Sequence, residues 1–126
     1  MRNSPHTKRI LVVDDEPLIR WSLAETLSDR GYEVVEAADG RAAVRAVSAS
    51  PFDVVLLDIR LPDSSDLTLL SRLRLLAPDA RVILMTAHGT PEVVQKALDL
   101  GAFRVVSKPF EVHEMVDLVA SALAAH

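Results

Sequence analysis

Two kinds of apolar segment alternate along this chain, and the alternation restricts the folds it can adopt. Short runs rich in β-branched residues, typical of buried strands, occupy residues 9–13, 33–37, 54–57, 81–85 and 105–106. Between them, apolar residues recur every three or four positions, which is the spacing of one helix face. The clearest rows are Ile19, Leu23 and Leu27, and Val112, Met115, Val119 and Leu123. The pattern predicts five consecutive strand–helix units.

Local signals at the predicted helix ends support this division. Gly31 and Gly101 directly follow predicted helices and suit a left-handed C-terminal cap, and Thr90 before Pro91 is predicted to begin the fourth helix. Because the strand runs are continuously apolar, helices should cover both faces of a parallel sheet. At 126 residues, the chain is predicted to be one doubly wound α/β domain, too short for a closed eight-stranded barrel.

The charge balance and the absence of cysteine narrow the possible functions. A net charge of -4 leaves no basic excess for broad binding to DNA or anionic membranes. Without cysteine there is no disulfide framework, and a metal would be held by oxygen ligands or by the four histidines. No apolar stretch is long enough for a signal peptide or a membrane span, so we expect a cytoplasmic protein. Residues 1–8 are predicted to form a disordered or extended segment before a domain at 9–126.

Polar residues of related chemistry follow four of the five predicted strands. They are Asp14 and Asp15 after the first strand, Asp58 after the third, Thr86 after the fourth and Lys108 after the fifth. Ligands of doubly wound sheets bind at the carboxyl ends of the strands, where these residues would meet. A single aspartate there is often only a helix cap, and a single lysine is often only solvated. Their joint occurrence at one edge predicts a functional site.

These residue types suit magnesium-assisted phosphoryl transfer. Clustered carboxylates repel one another, and a hard divalent cation that prefers oxygen ligands relieves the repulsion. Asp15 and Asp58 are the predicted direct ligands, with Asp14 supporting them from behind. A carboxylate here can also attack phosphorus and form an aspartyl phosphate. Lys108 would then neutralise charge and Thr86 would hydrogen-bond a phosphate oxygen.

The motifs around these residues resemble the receiver domain of two-component response regulators, the CheY-like type, from Arg9 to about Leu123. The matching segments are ILVVDDE at 10–16, VVLLDIRLP at 54–62, ILMTA at 83–87, GAF at 101–103 and KPF at 108–110. Trp21 after Ile19 and Arg20, with the turns at 61–63 and 86–89, resembles the NtrC-type subgroup. The resemblance implies a flavodoxin-like (βα)5 fold whose parallel sheet has the strand order 2-1-3-4-5.

The resemblance also implies a mechanism. The phosphohistidine of a sensor histidine kinase or phosphotransfer protein would donate to Asp58, with Mg²⁺ bound by Asp15, Asp58 and the backbone carbonyl of Arg60. Thr86 would then move toward the phosphate, Lys108 would pair with it, and the face formed by helix 4, strand 5 and helix 5 would change shape. Such a protein is a signalling receiver that catalyses its own phosphorylation and slow dephosphorylation, not an enzyme acting on a separate substrate.

Several positions modify this expectation. Val105 stands where relatives usually have an aromatic residue that rotates during switching, and Asp66 stands where they have glycine. Asp66 is expected either to change the loop after Asp58 or to cap helix 3. Arg60 and His88 flank the phosphoryl site in relatives, and we hypothesise that they obstruct the attacking water and lengthen the phosphorylated state, with plain surface solvation as the alternative.

Three other functions are weighed against this one. An interaction module of the same fold that no longer switches with phosphate is suggested by Val105 and Asp66, but the complete set of site residues argues against it. A phosphohydrolase using Asp58 would need a second aspartate two residues later, where Arg60 stands. A nucleotide-binding module would need a glycine-rich phosphate loop after the first strand, where an acidic triplet occurs instead.

The remaining expectations concern partners and output. Leu18, Ile19 and Trp21, with the loop at Pro109, resemble the kinase-docking surface of relatives, in which the Lys108–Pro109 bond is cis. A homodimer through helix 4, strand 5 and helix 5 is expected from the family alone, and direct nucleic-acid binding by this domain is not expected. The domain either acts alone by docking to partners or is the receiver of a larger regulator, such as a transcription regulator.

Overall fold

A computed structural model describes residues 7–64 and 66–125 and contains five strands that alternate with five helices. In chain order these are β1 (Arg9–Val13), α1 (Pro17–Asp29), β2 (Glu33–Ala37), α2 (Gly40–Ala49), β3 (Val54–Asp58), α3 (Thr68–Leu76), β4 (Arg81–Thr86), α4 (Pro91–Asp99), β5 (Arg104–Ser107) and α5 (Val112–Ala124). The predicted N-terminal segment 1–8 lies mostly outside the described residues, which begin two positions before β1.

All five strands are parallel and form one sheet in the order β2-β1-β3-β4-β5. This confirms the predicted flavodoxin-like doubly wound architecture. The chain moves outward from β1 to β2 and then crosses back to β3 on the other side of β1. The carboxyl ends of β1 and β3 therefore lie side by side, at the point where the strand order reverses and where ligands of such sheets bind.

Alternate residues of the central strands supply two separate cores, one on each face of the sheet. Leu11 and Val55 point into the core covered by α2, α3 and α4. Ile10 and Val54 point into the core covered by α1 and α5. Ile10–Val13 in β1 are completely buried, which explains why this strand is continuously apolar.

The helix boundaries follow most of the predicted signals. Gly31 and Gly101 have φ values of 90° and 103°, a region that L side chains rarely adopt. The Thr90 hydroxyl accepts the Val93 amide and caps α4. The apolar rows at helical spacing also include Leu70, Leu73 and Leu76 in α3 and Val94, Ala97 and Leu98 in α4, which predicts inward faces. Leu76, the last residue of α3, and Leu98, near the end of α4, are instead exposed, at 44% and 41%.

Three strands extend beyond their predicted ends, and one of them is β4, which includes Thr86. β3 includes Asp58, and β5 spans four residues where only Val105 and Val106 were apolar enough to indicate a strand. No helix in the described part of the chain is both long and apolar enough to cross a bilayer.

Candidate functional site

The predicted residues converge at the carboxyl edge of the sheet. Asp14 follows β1, Asp58 and Thr86 are the last residues of β3 and β4, and Lys108 follows β5. Three of these side chains are the buried polar or charged ones in the described residues: Asp14 is 0% exposed, Thr86 2% and Asp58 5%. Burying carboxylates is costly unless they are paired or bind a cation, so this edge departs from the pattern of the rest of the core.

Lys108 is the cation that joins the cluster. Its Nζ lies 2.9 Å from Asp14 Oδ2, 3.1 Å from Asp58 Oδ2 and 3.4 Å from Glu16 Oε1. The side chain is only 12% exposed, so these pairs are poorly screened by water. One ammonium therefore serves three carboxylates, two of them buried.

Asp14 is held at all four of its polar groups. Its amide donates to the Ala37 carbonyl (3.1 Å), and its own carbonyl accepts from Arg20 Nη1 (2.7 Å). Its Oδ1 accepts the Glu16 amide (2.9 Å), and its Oδ2 accepts from Lys108. Both carboxylate oxygens are thus already engaged, which is the arrangement expected of a residue that supports metal ligands from behind.

The electrostatic state of Asp58 reflects its surroundings. Burial raises the pKa of Asp58 above its ordinary value, and the neighbouring Asp14 charge adds to this; hydrogen bonds from the Arg60 amide (3.1 Å) and Lys108 oppose the rise without cancelling it. For Lys108, burial alone would lower the pKa, but hydrogen bonds and charge from Asp14 and Asp58 outweigh it, so the pKa of Lys108 is raised. The cluster holds more negative charge than its single lysine neutralises.

The donor set fits a hard divalent cation. One carboxylate oxygen from each of Asp14, Asp15 and Asp58 lies within 4.8 Å of the others. Asp15 is exposed, and its carboxylate accepts no hydrogen bond from the residues described. Asp15 therefore offers a free carboxylate next to Asp58, which is buried and only partly neutralised. Mg²⁺ prefers such oxygen ligands and usually keeps several water molecules as well.

Thr86 and the two flanking positions complete the rim. The buried Thr86 hydroxyl accepts the His88 amide (3.1 Å), and its backbone carbonyl accepts the Lys108 amide (2.8 Å), which ties the ends of β4 and β5 together. The Arg60 and His88 residues are exposed. The Lys108–Pro109 bond is cis, as the resemblance implied.

The two departures from the family pattern have clear structural settings. Asp66 is not the N-cap of α3, because Leu67 occupies that position, so the predicted cap is wrong. The Asp66 side chain instead accepts the amide of Thr68, the first residue of α3, at its Oδ1 (2.9 Å). Val105 pairs with Leu84 in the sheet and packs against the core under α2, α3 and α4. As an aliphatic residue it lacks the ring that relatives rotate.

Sequence reasoning did not assign roles to two residues that contact the cluster. Glu16 pairs with Lys108, and Arg20 reaches back from the first turn of α1 to the Asp14 carbonyl. An acidic residue after two aspartates was visible, but its lysine partner lies 92 positions away. A contact from an arginine to a main-chain carbonyl leaves no side-chain pattern that a sequence could show.

An apolar groove of about 530 Å³ opens beside the cluster. Its walls include Ile19 of α1 and Phe110 after β5, and Lys108 and Glu16 of the cluster also line it. Leu18 at the same rim is 74% exposed, and Trp21 nearby is 56% exposed. Large exposed apolar side chains next to a polar site are typical of a surface that binds another protein.

Comparisons with known proteins agree with this geometry. A family model described as "Response regulator receiver domain" matches residues 10–120. The chain is 37% identical over 112 residues to sporulation initiation phosphotransferase F of Bacillus subtilis, covering 89% of this chain and 90% of that protein. A CheY-like receiver domain protein from Methanospirillum hungatei JF-1 superposes with a TM-score of 0.89 at 30% identity, covering 94% of each chain.

A larger regulator is similar over only part of its length. The DNA-binding transcriptional regulator NtrC of Azospirillum brasilense is 36% identical over 114 residues, which is 90% of this chain and 24% of NtrC. The chain thus spans about a quarter of that relative but nearly the whole of the sporulation protein. The similarity to NtrC is therefore limited to a segment about as long as one receiver domain.

Proposed function

The chain belongs to the response regulator receiver family of two-component signalling, and on that premise we propose that it accepts a phosphoryl group on Asp58 in a Mg²⁺-dependent reaction. The observation that carries the proposal is the buried cluster itself, whose four residues come from the ends of four strands: Asp14, Asp58, Thr86 and Lys108. Lys108 pairs with both Asp14 and Asp58, and the buried Thr86 hydroxyl accepts the His88 amide at the same edge of the sheet. A fold without phosphoryl chemistry has no evident need for buried, under-neutralised carboxylates.

The chain's own residues support transfer as follows. An ionised Asp58 oxygen attacks the phosphorus of the donor, the new P–O bond forms, and the bond to the donor group breaks with its electron pair leaving on that group. Lys108, already 3.1 Å from Asp58, remains beside the phosphoryl oxygens and balances their charge. The Thr86 hydroxyl, which only accepts a hydrogen bond from the His88 amide here, is free to donate its own proton to a phosphoryl oxygen.

The metal ligands proposed are Asp15, Asp58 and the main-chain carbonyl of Arg60, with Asp14 holding the others in place. When bound, Mg²⁺ supplies charge neutralisation for the incoming phosphoryl group and the carboxylates. The open carboxylate of Asp15 supports its role as a ligand, and the two occupied oxygens of Asp14 support its indirect role.

The phosphoryl donor we propose is a sensor histidine kinase or a phosphotransfer protein. The apolar groove between Ile19 and Phe110 leads directly to Lys108, so a helix docked there would bring a phosphohistidine to the cluster. The exposed Leu18 and Trp21 extend the same surface. This surface supports a protein partner rather than nucleic acid or membrane, and we place the protein in the cytoplasm.

Output would follow from the rearrangement of Thr86. Its movement toward the phosphoryl group would break the hydrogen bond from the His88 amide and shift the start of α4, so the face of α4, β5 and α5 would change and could form a homodimer or bind an effector. Val105 would repack without the rotation of a ring. Arg60 and His88, exposed at the rim, would slow the approach of water. Control of transcription would belong to an effector, if one is joined to this domain.

The test is phosphorylation by acetyl phosphate with Mg²⁺, followed by intact-mass measurement. We expect the parent chain to gain one phosphoryl group, and Asp58→Asn to gain none. Asp53→Asn is the matched control, because Asp53 lies at the opposite end of β3 and should leave phosphorylation unchanged. No gain by the parent would contradict the proposal and favour a receiver-fold interaction module that no longer uses phosphate.

A further inference from the structure

We propose that Arg20 is a positioning residue: by holding the Asp14 carbonyl, it sets the Mg²⁺ affinity of the acidic cluster formed by Asp14, Asp15 and Asp58. This inference rests on the function proposed above. Arg20 touches neither a predicted metal ligand's carboxylate nor the phosphoryl acceptor. Its guanidinium donates from Nη1 to the Asp14 carbonyl (2.7 Å) and from Nε to Glu36 Oε1 (3.1 Å). One side chain therefore links the end of β1 to the neighbouring strand β2.

The contact matters because the Asp14 carbonyl has no other partner in the described residues. Asp14 is completely buried, and a buried carbonyl without a donor destabilises the folded state. The β1–β2 ladder cannot supply the donor, since it ends with the Asp14 amide bonding to the Ala37 carbonyl. Arg20 thus replaces the sheet hydrogen bond that this carbonyl lacks.

This carbonyl also determines how Asp15 is presented. The C=O of Asp14 and the N–H of Asp15 belong to one planar peptide group, so fixing the direction of the carbonyl fixes the plane from which Asp15 projects. Asp15 is exposed, and none of the residues at 7–64 and 66–125 donates a hydrogen bond that would orient its side chain. Its placement near Asp58 therefore depends on the main chain, and the main chain is held there by Arg20.

Charge and positioning predict opposite signs for the loss of Arg20. Removing the positive charge that contacts the main chain of Asp14 would, by Coulomb repulsion alone, tighten binding of a divalent cation at the acidic cluster. Loss of a support behind metal ligands weakens binding, by about 10- to 100-fold in characterised sites. The sign of the change in Kd therefore separates a positioning role from a purely electrostatic one.

The molecule contains a closely matched control. Arg9 donates from Nε to Glu33 of β2 and from Nη1 to a main-chain carbonyl, that of Pro51, with 22% side-chain exposure against 19% for Arg20. Both arginines thus join a β2 glutamate to a main-chain carbonyl at opposite ends of the sheet, and Arg9 in addition donates to Ser50 Oγ (2.8 Å) and lies over the Phe52 ring. Only Arg20 is beside the acidic cluster.

The experiment is calorimetric titration of the metal-free protein with MgCl₂, with urea unfolding of each variant measured without metal. We expect Arg20→Ala to raise the Mg²⁺ Kd about tenfold and Arg20→Lys about threefold, because lysine cannot reach the carbonyl and Glu36 together. Arg9→Ala should change the Kd less than about twofold. Glu36→Gln, which keeps the Asp14 carbonyl contact, should lie between the parent and Arg20→Ala.

Each outcome bears on the proposal. A Kd for Arg20→Ala equal to that of Arg9→Ala, or tighter than that of the parent, overturns the positioning role while leaving the proposed function intact. If Arg20→Ala does not fold, Arg20→Lys and Glu36→Gln decide in the same way, and parent-like affinity in both overturns it. A parent chain that binds no Mg²⁺ overturns this inference and the proposed metal site together, which distinguishes the two failures.

Discussion

The two ends of the sheet use the same charged residue types in opposite ways. At the amino end, Asp53 accepts the Arg9 amide (2.8 Å), while the Arg9 guanidinium pairs with Glu33 and lies 4.3 Å from the centre of the Phe52 ring. At the carboxyl end, Asp14 and Asp58 are buried and share Lys108. Charges at the amino end find their partners within the protein, whereas those at the carboxyl end remain under-neutralised.

This contrast separates charges that stabilise the fold from charges suited to binding a ligand. A half-buried aspartate that accepts a main-chain amide stabilises the strand ends around it. Buried carboxylates with too little positive charge cost stability, so their retention points to a bound cation or phosphoryl group. Burial together with incomplete neutralisation is the feature that separates the two ends.

The largest effect should come from Mg²⁺ itself. At a concentration 100 times Kd, a ligand that binds only the folded state raises the free energy of unfolding by about 2.7 kcal/mol. We expect this gain in urea unfolding of the parent and of Asp53→Asn, but most of it should disappear in Asp15→Asn. A similar gain in all three proteins would show that Mg²⁺ acts away from the carboxyl end.

Removing the shared lysine should have the next largest effect. Lys108→Met leaves Asp14 and Asp58 without their cation, and we expect it to lower the free energy of unfolding by about 2 kcal/mol at neutral pH without metal.

The pH dependence of this loss follows from the raised pKa of Lys108. A lysine whose pKa is raised by folding stabilises fully below its ordinary value of 10.5, and the contribution is lost as pH rises through the higher folded value. The difference between the parent and Lys108→Met should therefore shrink only at strongly alkaline pH. Unfolding midpoints measured from pH 8 to pH 12 give the check, and a difference that vanishes below the ordinary lysine pKa would contradict it.

Replacing one aspartate from each end of β3 should change stability in opposite directions. Without metal, Asp58→Asn should raise the free energy of unfolding by about 1 kcal/mol because a buried charge is removed. Asp53→Asn should lower it by about 1 kcal/mol because the Arg9 amide loses a charged acceptor.

The gain in Asp58→Asn should also depend on pH. Because folding raises the pKa of Asp58, the penalty in the parent develops as pH rises from the ordinary carboxyl pKa to the folded pKa and is complete above the folded pKa. The gain in Asp58→Asn should therefore fall as pH is lowered toward the ordinary carboxyl value. Urea unfolding at pH 4 and pH 7 measures both effects. Changes of the same sign in the two variants would remove the distinction between the two ends.

The smallest effect is predicted for Asp63, which lies on the loop after Asp58 but only stabilises the fold. Asp63 accepts the Gly40 (2.8 Å) and Arg41 (3.1 Å) amides at the start of α2, and the Gly40 amide bond is the chief reason that its pKa is lowered. Because Asp63 is exposed, Asp63→Asn should cost only about 0.5 kcal/mol.

The cost should be present above the ordinary carboxyl pKa and lost as pH falls through the lower folded value. Thermal unfolding of Asp63→Asn and of Asp79→Asn, an exposed aspartate outside any hydrogen bond described, gives the comparison. Mg²⁺ affinity should be the same in both variants. A change in affinity for Asp63→Asn alone would extend the metal site to this loop.

The parts of the molecule that could be predicted from sequence depend on the repeating geometry of parallel strands. Five apolar runs predict the βα order. Because the carboxyl ends of parallel strands share one edge of the sheet, the sequence also predicts that the residues after these strands lie together, namely Asp14, Asp58, Thr86 and Lys108. The strand order and the cis bond came from the resemblance to receiver domains.

The features that could not be predicted depend on single contacts, which do not recur at a regular spacing along the sequence. The guanidinium of Arg20 bonds a carbonyl six positions back, and nothing in the residue types of that segment distinguishes this from a solvated helix arginine. The exposure of Leu76 depends on where α3 ends, and sequence signals locate helix ends only within a few residues.

Lys108 has a further consequence for the order in which this protein is assembled. It meets Asp14 across 94 positions and Asp58 across 50, and it follows the strand that completes the edge of the sheet. Contacts between distant parts of a chain form late in folding because closing long loops costs entropy. Asp14 and Asp58 also precede Lys108 in the sequence, so they are synthesised before it. The ion pairs of Lys108 thus report that the final strand has joined, and a nascent chain that lacks β5 carries the acidic cluster without its counter-charge.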